Sequence, residues 1–289
     1  MGQSILQSVL NGFTTGSIYI LVALGLTLIM GIMGIVQLAH GEIYMFGAYI
    51  TYALCKMMGL PFLLSLIISA VIMGIFGVII EKIFYRPFRH AEDFLPVLIV
   101  ATAVMLVLQN TAIISFGASD KVVTSPFTGV VTFAGVNLSR ERLIIIAITI
   151  VLVTGLFFFL QKTKIGQAMV AISQDLRGAA LQGINVDHIS SFGMYIGCAL
   201  AAVAGSLMGA IFSLSATMGN FALMKGIAVM ILGGMGSLIG TVISGLIIGL
   251  TEGIVSSFVH VQVANITVFA LIILILLFRP QGIMGISSR

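Results

Sequence analysis

Seven stretches of this sequence are apolar over about the length that an α-helix needs to cross a lipid bilayer. They lie near residues 8–30, 60–80, 94–116, 143–160, 189–214, 226–251 and 262–278, and one helical span needs ~20 such residues. A glycine-rich stretch near residues 35–55 adds another candidate. The period-two alternation of a membrane β-barrel does not occur, so the spans are helical. We therefore expect an all-α integral membrane protein with about eight transmembrane helices.

The balance of residue types fits one membrane domain. Hydrophobic residues make up 60% of the chain and charged residues 8%, which is far from the composition of a soluble globular protein. No Ser/Pro-rich or charge-run linker divides the sequence, so we expect a single transmembrane domain over residues 1–289. The start of the chain carries no positively charged side chain and no cleavage site of small residues, so we expect the first helix to be retained.

The basic residues between the spans predict which side of the membrane each loop faces. Six of them lie in two loops that are two crossings apart: Lys82, Arg86, Arg89, Lys162, Lys164 and Arg177. The loop between these two holds three: Lys121, Arg140 and Arg142. The excess of basic residues predicts that the two loops with six of them face the cytoplasm, and counting spans back from there places the N-terminus outside. Arg279 and Arg289 favour a cytoplasmic C-terminus, whereas eight spans would put both termini on one side. Either the charge rule fails at one end or one span is re-entrant.

The most polar segment, residues 162–188, is too polar to span the membrane and rich in helix-forming residues. Five residues recur at steps of three and four and so share one face of a predicted helix: Ala168, Ala171, Asp175, Ala179 and Gln182. Gly166 precedes this stretch and Gly183 is placed to end it. A face of small residues, instead of a strong apolar face, suits close approach to another protein more than to a membrane surface.

The stretch GIVQLAHGEIY, residues 34–44, places polar groups where a membrane helix is expected. Gly34 and Gly41 make it a favourable place for a helix to break, and broken helices in transporters expose backbone dipoles to a substrate path. Glu42 then begins the next half-helix, where its carboxylate either caps free amides or contacts substrate. Gln37 and His40, in the gap, are predicted to face the path. Most other glycines at helical spacing are predicted to be helix-packing positions.

Motifs of enzymatic chemistry do not occur in the sequence. It holds no phosphate-binding G-x-x-x-x-G-K-[ST] loop, no H-E-x-x-H or C-x-x-C metal motif and no G-x-S-x-G nucleophile motif, so we expect neither an enzyme nor a metal site. An ion-coupled transporter would need an acidic residue inside the membrane. Of Glu42, Glu81 and Glu252, the last two lie at the ends of apolar stretches, and only Glu42 is predicted to be deep. His40 is its one nearby cationic candidate.

Four segments resemble a known family along nearly the whole chain, namely the inner-membrane permease subunits of branched-chain amino acid ABC importers. They are residues 16–49, which include AHGE, residues 166–186, residues 229–253, which include LGGMGS, and residues 276–285. The resemblance implies a multi-pass protein of the bacterial inner membrane. It also implies a second homologous permease subunit, two ATP-binding subunits and an external substrate-binding protein as partners, with no nucleic acid. ATP would be bound by the partner subunits, and this chain would hold no cofactor.

By the same resemblance, the 166–186 segment is a cytoplasmic coupling helix that docks on the ATPase. The residues that match the family pattern are Gly166, Ala168, Ala171, Asp175, Ala179 and Gly183. The family often has arginine where this chain has Gln167 and Val170, which changes the charge of the docking contact.

The resemblance implies leucine, isoleucine or valine as substrate, along a path that includes Gln37, His40, Gly41 and Glu42. An apolar substrate side chain needs no dedicated polar partner, which fits a path lined by Met, Leu and Gly. Urea, short amides and other amino acids remain alternatives, because selectivity can reside in the binding protein. A second class of alternative is an ion-coupled secondary transporter or a channel. Whether the two permease subunits are identical is also open.

Overall fold

The computed structural model describes residues 2–35, 37–88, 94–117, 119–122, 127, 129–133 and 136–285. The helices are α1 (Gly2–Met33), α2 (His40–Met58), α3 (Phe62–Ile80), α4 (Phe94–Phe116), α5 (Arg140–Lys162), α6 (Lys164–Gln174), α7 (Leu176–Leu181), α8 (Val186–Ile211), α9 (Met218–Gly233), α10 (Leu238–Phe258) and α11 (Val261–Phe278). A π-helical turn, Glu81–Tyr85, and a 3-10 turn, Arg86–Phe88, extend α3. Strands β1 (Val130–Phe133) and β2 (Val136–Ser139) form an antiparallel hairpin.

The helical membrane fold predicted from the apolar stretches is confirmed. Within the described ranges, seven helices are long and apolar enough to cross a membrane, and α9 is a shorter apolar helix. The prediction of one span over residues 226–251 is wrong, because the chain turns between α9 and α10. Gly234 and Gly236 have φ angles of 99° and 87°, a region that glycine enters without steric cost. Ser237 then caps α10 by accepting a hydrogen bond from the amide of Gly240 at 3.1 Å.

The bundle has two ends, which we name by what they contain. The inner end holds α6 and α7, and the outer end holds the β-hairpin. Helix α1 runs from the outer to the inner end, since Gly31 lies against Ser173 of α6. The chain then reverses between α1 and α2, and α2 begins beside Val22 and Gly25 of α1. These residues precede the end of α1 by 8 to 11 positions (33 − 25 and 33 − 22), or ~12–16 Å at 1.5 Å per residue. Helix α2 therefore starts inside the bundle and runs to the outer end.

Helix α9 repeats this arrangement in the opposite direction. Helix α8 runs to the outer end, where Leu214 pairs through its backbone with Lys121 of the loop after α4. The chain then turns back, and α9 starts with Gly219 packed against Gly41 at the start of α2. From there α9 runs to the inner end. Both short passages thus consist of a re-entrant segment followed by a helix that begins at mid-depth.

The two halves of the chain form an inverted repeat. Helices α2 and α3 pack on α8, and helices α9 and α10 pack on α1. The same kind of bond recurs in both halves, because the Ser69 hydroxyl donates to the Gly47 carbonyl at 2.8 Å and the Ser244 hydroxyl donates to the Val229 carbonyl at 2.7 Å. Close glycine contacts, such as Gly16 with Gly249, bring these helices together, as small residues do in membrane bundles.

The repeat resolves the conflict over the termini. Seven full-length spans and the two passages through α2 and α9 give nine (7 + 2) across the described chain, and an odd number places the ends on opposite sides. Helix α1 begins at the outer end. After α11, the amides of Ile283 and Met284 bond to the carbonyls of Leu232 and Gly233 at the inner end. An outer N-terminus and an inner C-terminus agree with the charge rule at both ends.

Candidate functional site

The starts of α2 and α9 meet at the middle of the bundle, in what we call the mid-depth junction, formed by Gly41 and Gly219. A Cβ atom added to Gly41 would lie 2.8 Å from the carbonyl carbon of Gly219, and one added to Gly219 would lie 2.7 Å from that of Gly41. Atoms at these separations overlap, so only glycine fits on either side. The reciprocal contact joins the first turns of α2 and α9.

Glu42 lies in the first turn of α2, directly beside this junction. The positive dipole ends of two helices meet here, which favours a carboxylate. The residue is 1% exposed, and its Oε2 atom has no hydrogen-bond partner among the described residues. The N-cap position is Ala39, with no side-chain capping bond, so the predicted cap is not formed through Oε2. An unsatisfied buried oxygen is costly, and of the six such side chains among the described residues Glu42 is the one with a carboxyl group.

Gln37 and His40 are both fully buried and bond to protein groups. The Nε2 atom of His40 lies 3.2 Å from the Val22 carbonyl, and its Nδ1 atom lies 3.2 Å from the amide oxygen of Gln37. The amide nitrogen of Gln37 lies 3.9 Å from Sγ of Cys198. This chain of contacts fixes the re-entrant segment between α1 and α8. The two side chains predicted to face a path therefore hold the backbone that leads to the junction.

An ion pair that the sequence analysis missed joins α9 to α10. The Lys225 ammonium donates to Oε2 of Glu252 at 2.7 Å, and their side chains are only 5% and 16% exposed. The Tyr19 hydroxyl of α1 donates to the same carboxylate at 3.1 and 3.2 Å. Lys225 also lies over the rings of Tyr19 and Phe269. Glu252 was predicted to lie at the end of an apolar stretch, whereas it lies inside α10 and is paired with Lys225. The sequence feature that could have predicted this ion pair is Lys225, a lysine that directly precedes the apolar stretch 226–251.

A second buried acid is paired at the inner end. Glu81 has a side chain that is 0% exposed and lies 3.0 Å from Arg86. The Ser191 hydroxyl of α8 donates to the same carboxylate at 2.8 Å. In the sequence, the neighbouring Lys82 suggested that Glu81 lies at a helix end. The π-helical turn instead brings position 86 above position 81, because its hydrogen bonds join residues five apart.

The inner-end segment is two helices, not the single helix predicted. Thr163 caps α6, and Asp175 ends α6 and caps α7 by accepting from the Arg177 amide at 3.0 Å. Gly183 does end the helix, with a φ of 82°. The extended backbone of Asp175 breaks the predicted common face.

The small residues of this segment do not form its exposed face. Gly166 packs on the backbone of α5, Ala179 is buried, and Ala168 and Ala171 are half-buried. The exposed face instead carries larger apolar residues, with exposed fractions of 42% at Leu176 and 87% at Leu181. We call the α6 and α7 helices with this face the docking segment, after the ATPase-docking role that the sequence resemblance implies.

Comparisons with known proteins agree with this architecture. The chain matches the family described as branched-chain amino acid transport system / permease component over residues 8–278. It is 35% identical to the high-affinity branched-chain amino acid transport system permease protein BraD of Pseudomonas aeruginosa, over 97% of this chain and 95% of that protein. The corresponding protein LivH of Escherichia coli K12 gives the same values. The permease protein LivM of that organism is 23% identical over 95% of this chain and 69% of its own length.

Among solved structures, the chain is similar to one described as PsaBC from Streptococcus pneumoniae in complex with Fab. The TM-score is 0.56 at 13% identity, over 94% of this chain and 91% of that one. At this identity the similarity concerns the fold alone.

Proposed function

The chain belongs to the branched-chain amino acid transport system permease family, and from that premise we propose that it is the membrane-spanning permease subunit of an ATP-driven importer of branched-chain amino acids. In this proposal it works in the bacterial inner membrane with a second homologous permease subunit. Two ATP-binding subunits supply the energy, and an external binding protein delivers the substrate. The chain itself contributes the path and the docking surface, and ATP is bound by the partners.

The observation that carries this proposal is the match to the permease family over residues 8–278, and the mid-depth junction suggests where the path lies. Transporters built on inverted repeats place their substrate sites near the bilayer midplane, where helices begin inside the membrane. Here two such helices meet at Gly41 and Gly219, in a contact with no room for a side chain. We interpret this contact as the closed state of the path. Separation of α2 from α9, driven by the ATPase, would open it.

Glu42 gives the junction a chemistry suited to an amino acid. A zwitterion entering between the two helix starts would place its carboxylate at their positive dipole ends. Its ammonium group would meet the Oε2 atom of Glu42, which has no described partner in the closed state. Urea carries neither charge and would use neither feature. Because Glu252 is already paired with Lys225, it does not offer a free acid for ion coupling.

A test of the Glu42 proposal is the substitution Glu42→Gln. The amide keeps the size of the side chain but loses the charge that attracts an ammonium group, so we expect uptake of leucine to fall about tenfold or more, as for a charged partner worth ~1.5–3 kcal/mol. Basal ATP hydrolysis by the assembled transporter should stay unchanged. Normal uptake together with a lowered thermal midpoint would instead identify Glu42 as a structural group.

The docking segment is proposed to contact the ATP-binding subunit. Gly166, Ala168, Ala171 and Ala179 would set how closely it packs on the bundle, and Asp175 and Gly183 would fix its bend and its end. The exposed apolar side chains of Leu176 and Leu181 would enter the partner, because burial of apolar surface favours protein association.

The substitution Leu181→Asp tests this docking. Since Leu181 is 87% exposed, the permease should fold normally, whereas recovery of the ATP-binding subunit in co-purification should fall by about tenfold or more. The matched control is Val122→Asp at the outer end, where the valine is 69% exposed and recovery should be unchanged. Full recovery with Leu181→Asp would rule out this face as the docking surface.

A further inference from the structure

Helix α2 carries two of the six buried side chains that have a polar atom without a hydrogen-bond partner among the described residues. One is Glu42, and the other is Tyr49, through its hydroxyl. Seven positions separate the two residues (49 − 42), which is about two helical turns and ~10 Å along the axis. They therefore share one face of α2, and Tyr49 lies on the outer side of the mid-depth junction.

This shared face is not the one through which α2 packs on the bundle. Helix α2 contacts α8 through Tyr44 and Gly47. Tyr44 comes two positions after Glu42, and Gly47 two positions before Tyr49, so each is turned by about 200° around the helix. The face that bears Glu42 and Tyr49 therefore points away from α8.

Tyr49 is covered by the last residue of α4. The ring of Phe116 stacks on the ring of Tyr49, with centroids 4.3 Å apart and planes inclined by 15°. Tyr49 is 0% exposed as a result. Phe116 ends α4, and Gly117 follows it with a φ of 79°. We call the rings of Tyr49 and Phe116 the entrance stack.

Helix α4 lies at the edge of the bundle, where it packs mainly on α2 and on the π-helical turn at the inner end. The chain after it is anchored at the outer end. The backbone of Lys121 pairs with that of Leu214 at 2.9 and 2.7 Å, and Asp120 accepts from the Ser213 hydroxyl at 3.2 Å. Phe116 thus lies between an edge helix and an anchored loop, so it can turn away from Tyr49 without separating the central helices α1, α2 and α8.

The hydroxyl of Tyr49 is not needed for the stack. Phenylalanine would stack equally well, and a buried hydroxyl without a partner is costly. A tyrosine is explained here if its hydroxyl meets a partner once Phe116 has moved.

We propose that Tyr49 contacts the substrate at the outer entrance of the path, and that its hydroxyl donates a hydrogen bond to the carboxylate of an entering amino acid. The substrate would then move along the same face of α2 to Glu42. This inference rests on the proposed function and adds an entrance to it. One stacked aromatic pair is a modest barrier, so the stack slows entry, whereas the contact of Gly41 with Gly219 closes the path.

Thiol labelling tests the cover over this face. Met45, fully buried between Glu42 and Tyr49, is replaced by cysteine, and the half-buried Cys55 by serine. A membrane-impermeant methanethiosulfonate is then added from the outer side. Labelling should be slow in this protein and about tenfold faster after Phe116→Ala, which removes one stacked pair. Phe116→Leu, which fills the site without stacking, should also accelerate labelling. Ile114→Ala, at an α4 residue that is 84% exposed, is the control and should not change the rate.

Leucine uptake by the assembled transporter tests the hydroxyl. Tyr49→Phe keeps the stack, so labelling of Met45→Cys should stay slow. Uptake should fall about tenfold or more, as for the loss of a hydrogen bond to a charged group. The matched control is Tyr85→Phe, which removes another buried hydroxyl without a described partner, in the π-helical turn at the inner end. It should leave uptake unchanged.

The inference is overturned if Phe116→Ala is labelled no faster than Ile114→Ala, or if Tyr49→Phe takes up leucine as well as Tyr85→Phe does. The labelling uses no substrate and therefore does not depend on the proposed function. Absence of leucine uptake by the unsubstituted transporter would instead contradict the proposed function.

Discussion

Substitution of Lys225 by methionine is expected to destabilise the protein by about 3–5 kcal/mol, the usual cost of leaving one member of a buried ion pair without its partner. The Glu252 carboxylate would keep the Tyr19 hydroxyl at 3.1 Å but lose the ammonium at 2.7 Å. Because the pair ties α9 to α10 and α1, its loss should also free the start of α9 at the mid-depth junction. The measurement is the thermal midpoint of the detergent-purified protein, together with its monodisperse yield.

Two double variants separate the charge of this pair from its position. Lys225→Glu with Glu252→Lys restores an ion pair of opposite direction, and Lys225→Met with Glu252→Gln removes both charges. Each should recover a large part of the midpoint lost by Lys225→Met, because no unpaired charge remains in the membrane. If both double variants are as unstable as the single one, the pair does not hold α9 in the way described.

The second large effect is expected from Gly41→Ala at the mid-depth junction. The added methyl group would lie 2.8 Å from the carbonyl carbon of Gly219, so α2 and α9 must move apart, at a cost of about 1–3 kcal/mol for overpacking. We expect a lowered thermal midpoint and a path that no longer closes. In liposomes, this closure defect should appear as leak of preloaded leucine without ATP.

Gly31→Ala is the matched control for that substitution. Gly31 lies near the end of α1, and the nearest atom to an added Cβ is 3.7 Å away. The alanine should be tolerated and should stabilise the helix by about 0.5–1 kcal/mol. A Gly41→Ala protein as stable and as tight as Gly31→Ala would mean that the junction is not the closed gate.

Hydropathy predicted the helices but not the depth at which they begin. A window of apolar residues measures length, and both α9 and α10 are apolar, so residues 226–251 read as one span. The re-entrant starts depend on contacts between distant segments, such as Gly41 with Gly219, which no local pattern reveals. The odd number of passages followed only from those contacts, although the charges of the loops and of the C-terminal tail already required it.

The role of a side chain was harder to predict where its residue type fits two local structures, such as the interior of a helix and an N-cap. Asp175 fits the helical spacing of small residues, yet aspartate is also a preferred N-cap, and the structure uses it to separate α6 from α7. Glu81 and Glu252 were not predicted to be deep, because each lies near the end of an apolar stretch. Their cationic partners, Arg86 and Lys225, become visible only once the π-helical turn and the packing of α9 on α10 are known.

The central claim is that this chain is the permease subunit of an ATP-driven importer of branched-chain amino acids. The most direct measurement is uptake of labelled leucine, isoleucine and valine into proteoliposomes that contain the chain with its co-purified subunits. Uptake should require ATP on the side of the docking segment and the binding protein on the opposite side, and it should persist when ion gradients are dissipated. Uptake that follows an ion gradient without ATP, or no uptake of any of the three amino acids, would contradict the account.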